Sequence, residues 1–334
     1  MRAIRKVLST VNYTGQDLKT LKEIFEGSEF IQVSHSDTEN ILKELVNTDV
    51  AVLETDLDER FLGDSSLKWI HCNHAGLNKS ARPEVFEKGI ILTGSAGRSS
   101  PVLAEHCIYF MLNACYHTHE LLAAQYTHQW GVKDQDDFRG LFGRTAGIIG
   151  MGHTGKMLAE RLNAFGMDII SYDRYELKDY DYITRKLNSS KGDSLDELYA
   201  NSDFIILCIA LTNETYHLIN DESLAKFKRG AILVNMARGG IVDTEALIRA
   251  LDSGQVAQAG LDVFEQEPLP TDSPLWDRKD VYITPHFTPA VPHRAGRCLE
   301  IIRENRRRYI NNEEMLNEVK EKDIFTIDLT TSKY

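Results

Sequence analysis

The chain has 334 residues, which is enough for two domains of ordinary size that each bury their own core. Hydrophobic residues make up 42% and charged residues 26% of it, as in globular proteins generally. The formal net charge of −12 argues against sequence-independent nucleic-acid binding, because that binding needs Lys and Arg to neutralise phosphates.

The sequence also indicates the cellular compartment of the protein. No stretch approaches the roughly 20 apolar residues that a membrane helix needs, and the first apolar run is too short for a signal peptide. The five cysteines are scattered without a CxxC pair, which is typical of reduced thiols. We therefore expect a cytoplasmic protein that binds neither membrane nor nucleic acid, and no His or Cys spacing predicts a metal site.

Short apolar runs alternate with helical patterns through the first hundred residues. Strand-like runs at 4–12, 30–33, 50–54, 67–71 and 90–93 surround helical patterns near 18–25 and 39–45. This alternation predicts a small α/β domain with a largely parallel sheet. A loop of small residues at 94–101 precedes one long helical run, 102 to about 126, which we interpret as the crossover to a second domain.

The stretch 145–173 predicts a strand, a glycine turn, a helix and a second strand that ends in Asp173. Gly150 would permit the tight turn, Gly152 would let a pyrophosphate approach the backbone, and Gly155 would let helix and strand pack closely. A carboxylate at Asp173 would accept hydrogen bonds from a ribose and repel a 2′-phosphate, so the pattern favours NAD over NADP. Arg174 beside it argues in the opposite direction.

The second domain continues as a Rossmann succession with strands at 203–209, 231–236, 256–263 and 281–284. Residues 181–194 are polar, and we expect an exposed excursion there. The last helical pattern, 295–310, would return over the first domain and make it discontinuous in sequence. We therefore predict one domain from 1–100 with 290–334, and a second from 101–289.

Three polar clusters follow the later strands, at the edge where ligands bind in doubly wound sheets. Arg238 lies in NMARGGIVD, and its planar fork matches a carboxylate, although a surface arginine in a turn is also possible. In LDVFEQEP, Asp262 falls inside an apolar strand and should have a definite partner, Glu267 could reach a neighbouring strand end, and Glu265 would be solvated. His286, in TPH, could exchange protons near neutral pH or be a structural histidine.

Together these clusters resemble the NAD-dependent D-2-hydroxyacid dehydrogenases. The resemblance covers nearly the whole chain, from Ala75-Gly76 and Ala104-Glu105-His106 through GMGHTG, CIALT and NMARGGIVD to LDVFEQEP and TPH. It implies a Rossmann domain, a doubly wound parallel sheet, inserted into a smaller flavodoxin-like α/β domain that binds substrate. It also implies hydride transfer between NAD(H) and a small 2-hydroxy or 2-oxo acid with D stereospecificity, and a homodimer formed through the long helix and the Trp130 region.

The resemblance also implies roles at matching positions. Arg238 would hold the substrate carboxylate with backbone N–H groups near Ala75 and Gly76, His286 would donate the proton, and Glu267 would orient His286. Asp262 would bind the nicotinamide carboxamide. The remaining cofactor contacts would be His153, Thr154, Ile209, Ala210, Thr215, Met236 and Ala237.

The sequence departs from the family pattern at some positions. Ala210 replaces a usual proline, and Asn78 stands where an acid is frequent. Residues 50–61, VAVLETDLDERF, do not match the basic and hydroxyl pattern of the phosphoglycerate dehydrogenases, which disfavours a phosphorylated substrate, although Arg98 could meet a distal anionic group.

Two other classes of protein share the fold that the resemblance implies. Formate dehydrogenases pair the histidine with glutamine, whereas this chain has Glu267. The C-terminal binding protein corepressors keep the same three residues and use NAD to control partner binding. An ordinary enzymatic turnover rate would separate an enzyme from such a binding protein.

Overall fold

The computed structural model describes residues 2–63 and 65–327. Residue contacts divide the chain into two compact units. The first combines the two ends of the chain, up to Ser99 and from Ala290 onward, and the second comprises Ser100–Pro289. No helix among the described residues is both long enough and apolar enough to cross a membrane.

Strands and helices alternate along the described residues. The strands are β1 (Lys6–Ser9), β2 (Glu29–Gln32), β3 (Val50–Leu53), β4 (Trp69–Cys72), β5 (Ile91–Gly94), β6 (Thr145–Ile149), β7 (Asp168–Asp173), β8 (Arg185–Asn188), β9 (Phe204–Leu207), β10 (Ala231–Asn235), β11 (Val256–Leu261) and β12 (Val281–Ile283). The helices are α1 (Gly15–Ile24), α2 (Thr38–Leu45), α3 (Glu59–Leu62), α4 (Pro83–Glu87), α5 (Ser100–Cys115), α6 (Thr118–Tyr126), α7 (His153–Ala164), α8 (Leu195–Asn201), α9 (Asp221–Ala225), α10 (Thr244–Asp252) and α11 (Arg294–Asn311).

The first unit contains a parallel five-stranded sheet in the order β2-β1-β3-β4-β5. The central strands β3 and β4 are buried along their whole length, as expected of parallel strands covered on both faces. The C-terminal helix α11 completes one side of this core, because Leu299, Ile302 and Tyr309 pack in the cluster that contains Trp69. The Trp69 and Tyr309 rings are stacked with centroids 5.6 Å apart.

The second unit contains a parallel seven-stranded sheet in the order β12-β11-β10-β9-β6-β7-β8. From β6 the chain builds outward through β7 and β8, then continues on the opposite side of β6 with β9. The strand order therefore reverses between β6 and β9, and ligands of doubly wound sheets bind at the carboxyl ends beside such a reversal. The expected α/β class, with a doubly wound Rossmann sheet, is confirmed.

Two local expectations are wrong. Residues 181–194 are not a mere exposed excursion, because they contain β8, which pairs with β7 and buries Leu187 and Asn188. An edge strand pairs with only one neighbouring strand, and β8 forms with a single buried apolar side chain, Leu187. Its polar sequence therefore did not predict a strand. The helical run 102–126 is two helices, because His117 lies between α5 and α6 with φ +45, in the left-handed region, while its ring stacks on Phe138.

Candidate active site

The three glycines after β6 have different environments. Gly150 has φ +97, and a Cβ added there would lie 2.5 Å from Ile209 Cγ2. A Cβ on Gly155 would overlap the Gly150 carbonyl oxygen, so both positions require glycine. By contrast, a Cβ on Gly152, the N-cap of α7, would meet no described atom within 4 Å. The turn is therefore closely packed on its inner side, while the N-terminus of α7 is open to an anion.

Asp173 ends β7 beside this turn. Its Oδ2 accepts a hydrogen bond from the Met151 amide at 2.6 Å, and its Oδ1 accepts one from the Tyr175 amide at 2.9 Å. Because each oxygen accepts from a backbone donor, the position of the carboxylate is fixed. Arg174, the next residue, donates from Nη2 to Glu214 Oε2 at 2.8 Å.

The other residues expected at the cofactor lie around the same edge of the sheet. His153 and Thr154 are the first residues of α7, Ile209 and Ala210 follow β9, and Met236 and Ala237 follow β10. The Thr215 hydroxyl accepts from the Thr212 amide and donates to the Ala210 carbonyl, both at 2.8 Å. Thr215 therefore shapes the loop after β9.

Asp262 is buried just after β11, and the expectation that it has a definite partner is confirmed. The Thr284 hydroxyl donates to Asp262 Oδ1 at 2.6 Å, and the Phe287 amide donates to the same oxygen at 3.3 Å. Burial raises the pKa of Asp262 above its usual value, while the hydrogen bond from Thr284 opposes that rise. Asp262 is thus held in place by residues on both sides of Pro285.

Sequence reasoning gave His106, on α5, no role in this network. Its Nε2 lies 3.2 Å from the Thr284 hydroxyl. Since the single hydroxyl proton of Thr284 goes to Asp262, Nε2–H of His106 is the donor. Burial lowers the pKa of His106, so the ring stays neutral near pH 7. His106 therefore supports Asp262 through Thr284, and the AEH motif was the available sequence signal.

Arg238 and Glu267 lie on loops that pack together. Arg238 follows β10 with extended backbone, φ −145 and ψ 145, and its Nη1 donates to the Ala237 carbonyl at 2.6 Å. A Cβ on Gly239 would overlap the Phe264 carbonyl, so glycine allows the two loops to approach. Glu267 Oε1 accepts from the Phe264 amide at 2.9 Å, which fixes the carboxylate on that loop.

His286 meets Glu267 across these loops. Its Nδ1 donates to Glu267 Oε2 at 2.6 Å, and its backbone has φ +47. Burial acts to raise the pKa of Glu267, but hydrogen bonds from His286 and Phe264 and the charges of His286 and Arg238 lower it overall. The carboxylate is therefore ionised near neutral pH. Because Nδ1 is engaged, Nε2 is the ring atom that can exchange a proton with a bound molecule.

The structure thus brings Arg238, Glu267 and His286 together within the second unit. The other predicted substrate contacts, Ala75, Gly76 and Arg98, lie in the first unit. Gly76 has φ +77, and Arg98 Nη1 donates to the Asn73 carbonyl. Burial and the nearby charge of Arg294 lower the pKa of Arg98.

The expectation that Glu265 is merely solvated is wrong. Its Oε1 accepts from His217 Nε2 at 2.6 Å, and its Oε2 accepts from the Thr244 amide at 2.9 Å. Glu265 therefore ties the loop after β11 to the start of α10. No group of three or more His, Cys, Asp or Glu side chains that could hold a metal occurs within residues 2–63 and 65–327.

Comparison with known proteins places the chain in a family. The NAD-binding domain model of the D-isomer specific 2-hydroxyacid dehydrogenases matches residues 108–288. A glyoxylate reductase of Korarchaeum cryptofilum is 37% identical over 66% of this chain and 67% of its own length. A hydroxypyruvate reductase of Thermotoga maritima is 35% identical over 80% of this chain and 88% of its own.

A solved structure resembles almost the whole chain. It is a D-isomer specific 2-hydroxyacid dehydrogenase from Xanthobacter autotrophicus in complex with NADPH and MES, with a TM-score of 0.78 and 28% identity. The similarity covers 96% of this chain and 99% of that one. On its sequence and its fold, the chain belongs to the D-isomer specific 2-hydroxyacid dehydrogenase family, whose members use a nicotinamide cofactor.

Proposed function

We propose that this protein is an NAD-dependent reductase of small 2-oxo acids that forms D-2-hydroxy acids. The observation that carries the proposal is the 2.6 Å Glu267–His286 hydrogen bond, with Arg238 near enough for its charge to lower the pKa of Glu267. A guanidinium, a histidine and an ionised carboxylate are the groups that binding and protonating a 2-oxo acid requires.

In the reductive direction, Arg238 binds the substrate carboxylate through its planar fork and orients the carbonyl. His286, as imidazolium, donates its Nε2 proton to the carbonyl oxygen. Glu267 holds the ring of His286 in position through its hydrogen bond to Nδ1. The positive charges of Arg238 and His286 stabilise the alkoxide that develops at the oxygen. A reduced nicotinamide, when bound, would supply the hydride that the 2-oxo carbon accepts.

The residues around the glycine turn suit a dinucleotide. The open N-terminus of α7 at Gly152 offers backbone N–H groups to a pyrophosphate, with His153 and Thr154 as flanking contacts. Asp173 would accept the ribose hydroxyls, and its fixed charge favours NAD over NADP. Asp262 would bind the carboxamide, and we assign the lining to Ile209, Ala210, Thr215, Met236 and Ala237.

We assign the rest of the substrate site to the first unit. Backbone N–H groups at Ala75 and Gly76 would support the carboxylate, and Arg98 would meet an anionic group at the far end of a longer substrate. The names of the relatives, glyoxylate reductase and hydroxypyruvate reductase, favour small substrates of the same class.

We further propose a homodimer. Several large apolar side chains on α5, α6 and the segments after them are exposed, among them Tyr109, Tyr126 and Phe142, and Trp130 is exposed completely. Exposed apolar side chains in such number are typical of an interaction surface. Light scattering after gel filtration tests this, and a monomer at micromolar concentration would contradict it.

The test of function is an NADH-oxidation screen over glyoxylate, hydroxypyruvate, pyruvate, branched and aromatic 2-oxo acids and 2-oxo diacids, with NADPH in parallel. We expect turnover of at least one small 2-oxo acid, and oxidation of D- but not L-2-hydroxy acids with NAD⁺. His286→Asn is the matched inactive control. Folded protein that binds NADH but turns over none of these acids would refute the proposal.

A further inference from the structure

The candidate cofactor site carries a second pair of opposite charges. Arg174, directly after Asp173 at the end of β7, donates from Nη2 to Glu214 Oε2 at 2.8 Å. Glu214 comes from the loop after β9, forty positions along the chain. Because β7 and β9 flank β6 in the sheet, the pair joins the two loops on either side of the glycine turn.

The position of Arg174 next to Asp173 connects this ion pair with the choice of cofactor. Asp173 is fixed by the Met151 and Tyr175 amides, so its carboxylate cannot turn away from an approaching phosphate. Arg174 is the adjacent cation, and a guanidinium at this point could accommodate a ribose 2′-phosphate. The Glu214 carboxylate forms an ion pair with that guanidinium.

We propose that Glu214 is a specificity-determining residue, which disfavours NADP(H) by engaging Arg174 and so withholding its charge from a 2′-phosphate. The inference rests on the proposed cofactor site and concerns the choice between two cofactors at that site. Asp173 repels a 2′-phosphate directly, and Glu214 adds to that effect by pairing with Arg174, the cation next to Asp173.

The size of the effect follows from the exposure of the pair. The Arg174 and Glu214 side chains are 36% and 76% exposed. Ion pairs of this kind change an equilibrium constant about two- to five-fold, and salt weakens them. Removing the Glu214 charge should therefore shift the cofactor preference by that factor without reversing it, because Asp173 remains.

Binding of two small probes tests the inference without requiring turnover. Adenosine 5′-monophosphate and adenosine 2′,5′-bisphosphate differ only by the 2′-phosphate, and calorimetry at low ionic strength gives the Kd of each. The proteins are the wild type, Glu214→Gln, Arg174→Gln and the double variant. Glu222→Gln is the matched control, because it removes an exposed carboxylate that pairs with Lys226 in the same unit.

We expect Glu214→Gln to lower the Kd of the bisphosphate about two- to five-fold and to leave that of the monophosphate unchanged. The gain should disappear in the Arg174→Gln background and be absent from Glu222→Gln. A gain of equal size without Arg174 would mean that Glu214 acts only as a distant charge, and it would overturn the inference, as would no gain at all. If neither probe binds any of the proteins, the proposed dinucleotide site itself is refuted.

Discussion

Replacing Glu267 with glutamine tests the centre of the proposed mechanism. Glutamine can still accept the hydrogen bond from His286 Nδ1, so the variant removes the charge and leaves the contact. A hydrogen bond to a charged group contributes about 1.5–3 kcal/mol and a neutral one about 0.5–1.5 kcal/mol, so loss of the charge alone costs about 1–1.5 kcal/mol, or about five- to ten-fold. Glu267 and His286 are 34% and 43% exposed, which screens their interaction. We therefore expect the lower end, a loss of about five-fold in reductive kcat/KM.

The pH dependence distinguishes this role from a merely structural one. Reductive kcat/KM requires a proton from the enzyme and should fall as the pH rises. Because Glu267→Gln removes the negative charge beside the proton donor, the fall should occur at lower pH in the variant. The assay is NADH oxidation with a saturating cofactor from pH 5 to 9, with urea unfolding to verify equal stability. A pH profile that coincides with that of the wild type would refute the role of Glu267.

Three further predictions concern other residues. Arg238→Lys should mainly raise KM for the 2-oxo acid, because a point charge cannot reproduce the bidentate fork, and wild-type steady-state kinetics would exclude Arg238 from carboxylate binding. Gly155→Ala should abolish tight NADH binding or destabilise the second unit, because the added Cβ would overlap the Gly150 carbonyl. An unchanged NADH Kd together with an unchanged Tm would contradict this prediction. Burial, with the nearby charges of His74 and Arg98, lowers the pKa of His71 from 6.5 to about 3. Between these two pKa values His71 binds a proton in the unfolded chain but not in the native state. The free energy of unfolding should therefore fall as the pH drops from 6.5 towards 3, by about 2 kcal/mol between pH 7.5 and 5 as measured by urea unfolding. An unfolding free energy that does not change over this pH range would contradict the prediction.

The sequence predicted most of what depends on contiguous patterns. The strand–turn–helix around Gly150 could be predicted because each glycine has a local physical reason, and the apolar runs of β3, β9 and β10 are buried strands. The strand β8 could not, because an edge strand tolerates the polar composition of Arg185–Asn188.

Contacts between distant residues were the least predictable part of the site. The pairing of Glu265 with His217 joins positions far apart in sequence, and no local pattern encodes it. The AEH motif marks His106, but it does not identify Thr284 as its partner. The same holds for the break at His117, which depends on packing against Phe138. The catalytic and cofactor roles given to individual residues stay predictions that the experiments above address.

The backbone of His286 has a consequence for the evolution of the chain. A left-handed conformation, φ +47, costs a side chain with a Cβ about 1–2 kcal/mol, whereas glycine adopts it freely. Selection for heat resistance alone would thus favour glycine at this position and discard the imidazole. If His286 is the proton donor proposed above, its imidazole serves turnover at that cost in thermal stability.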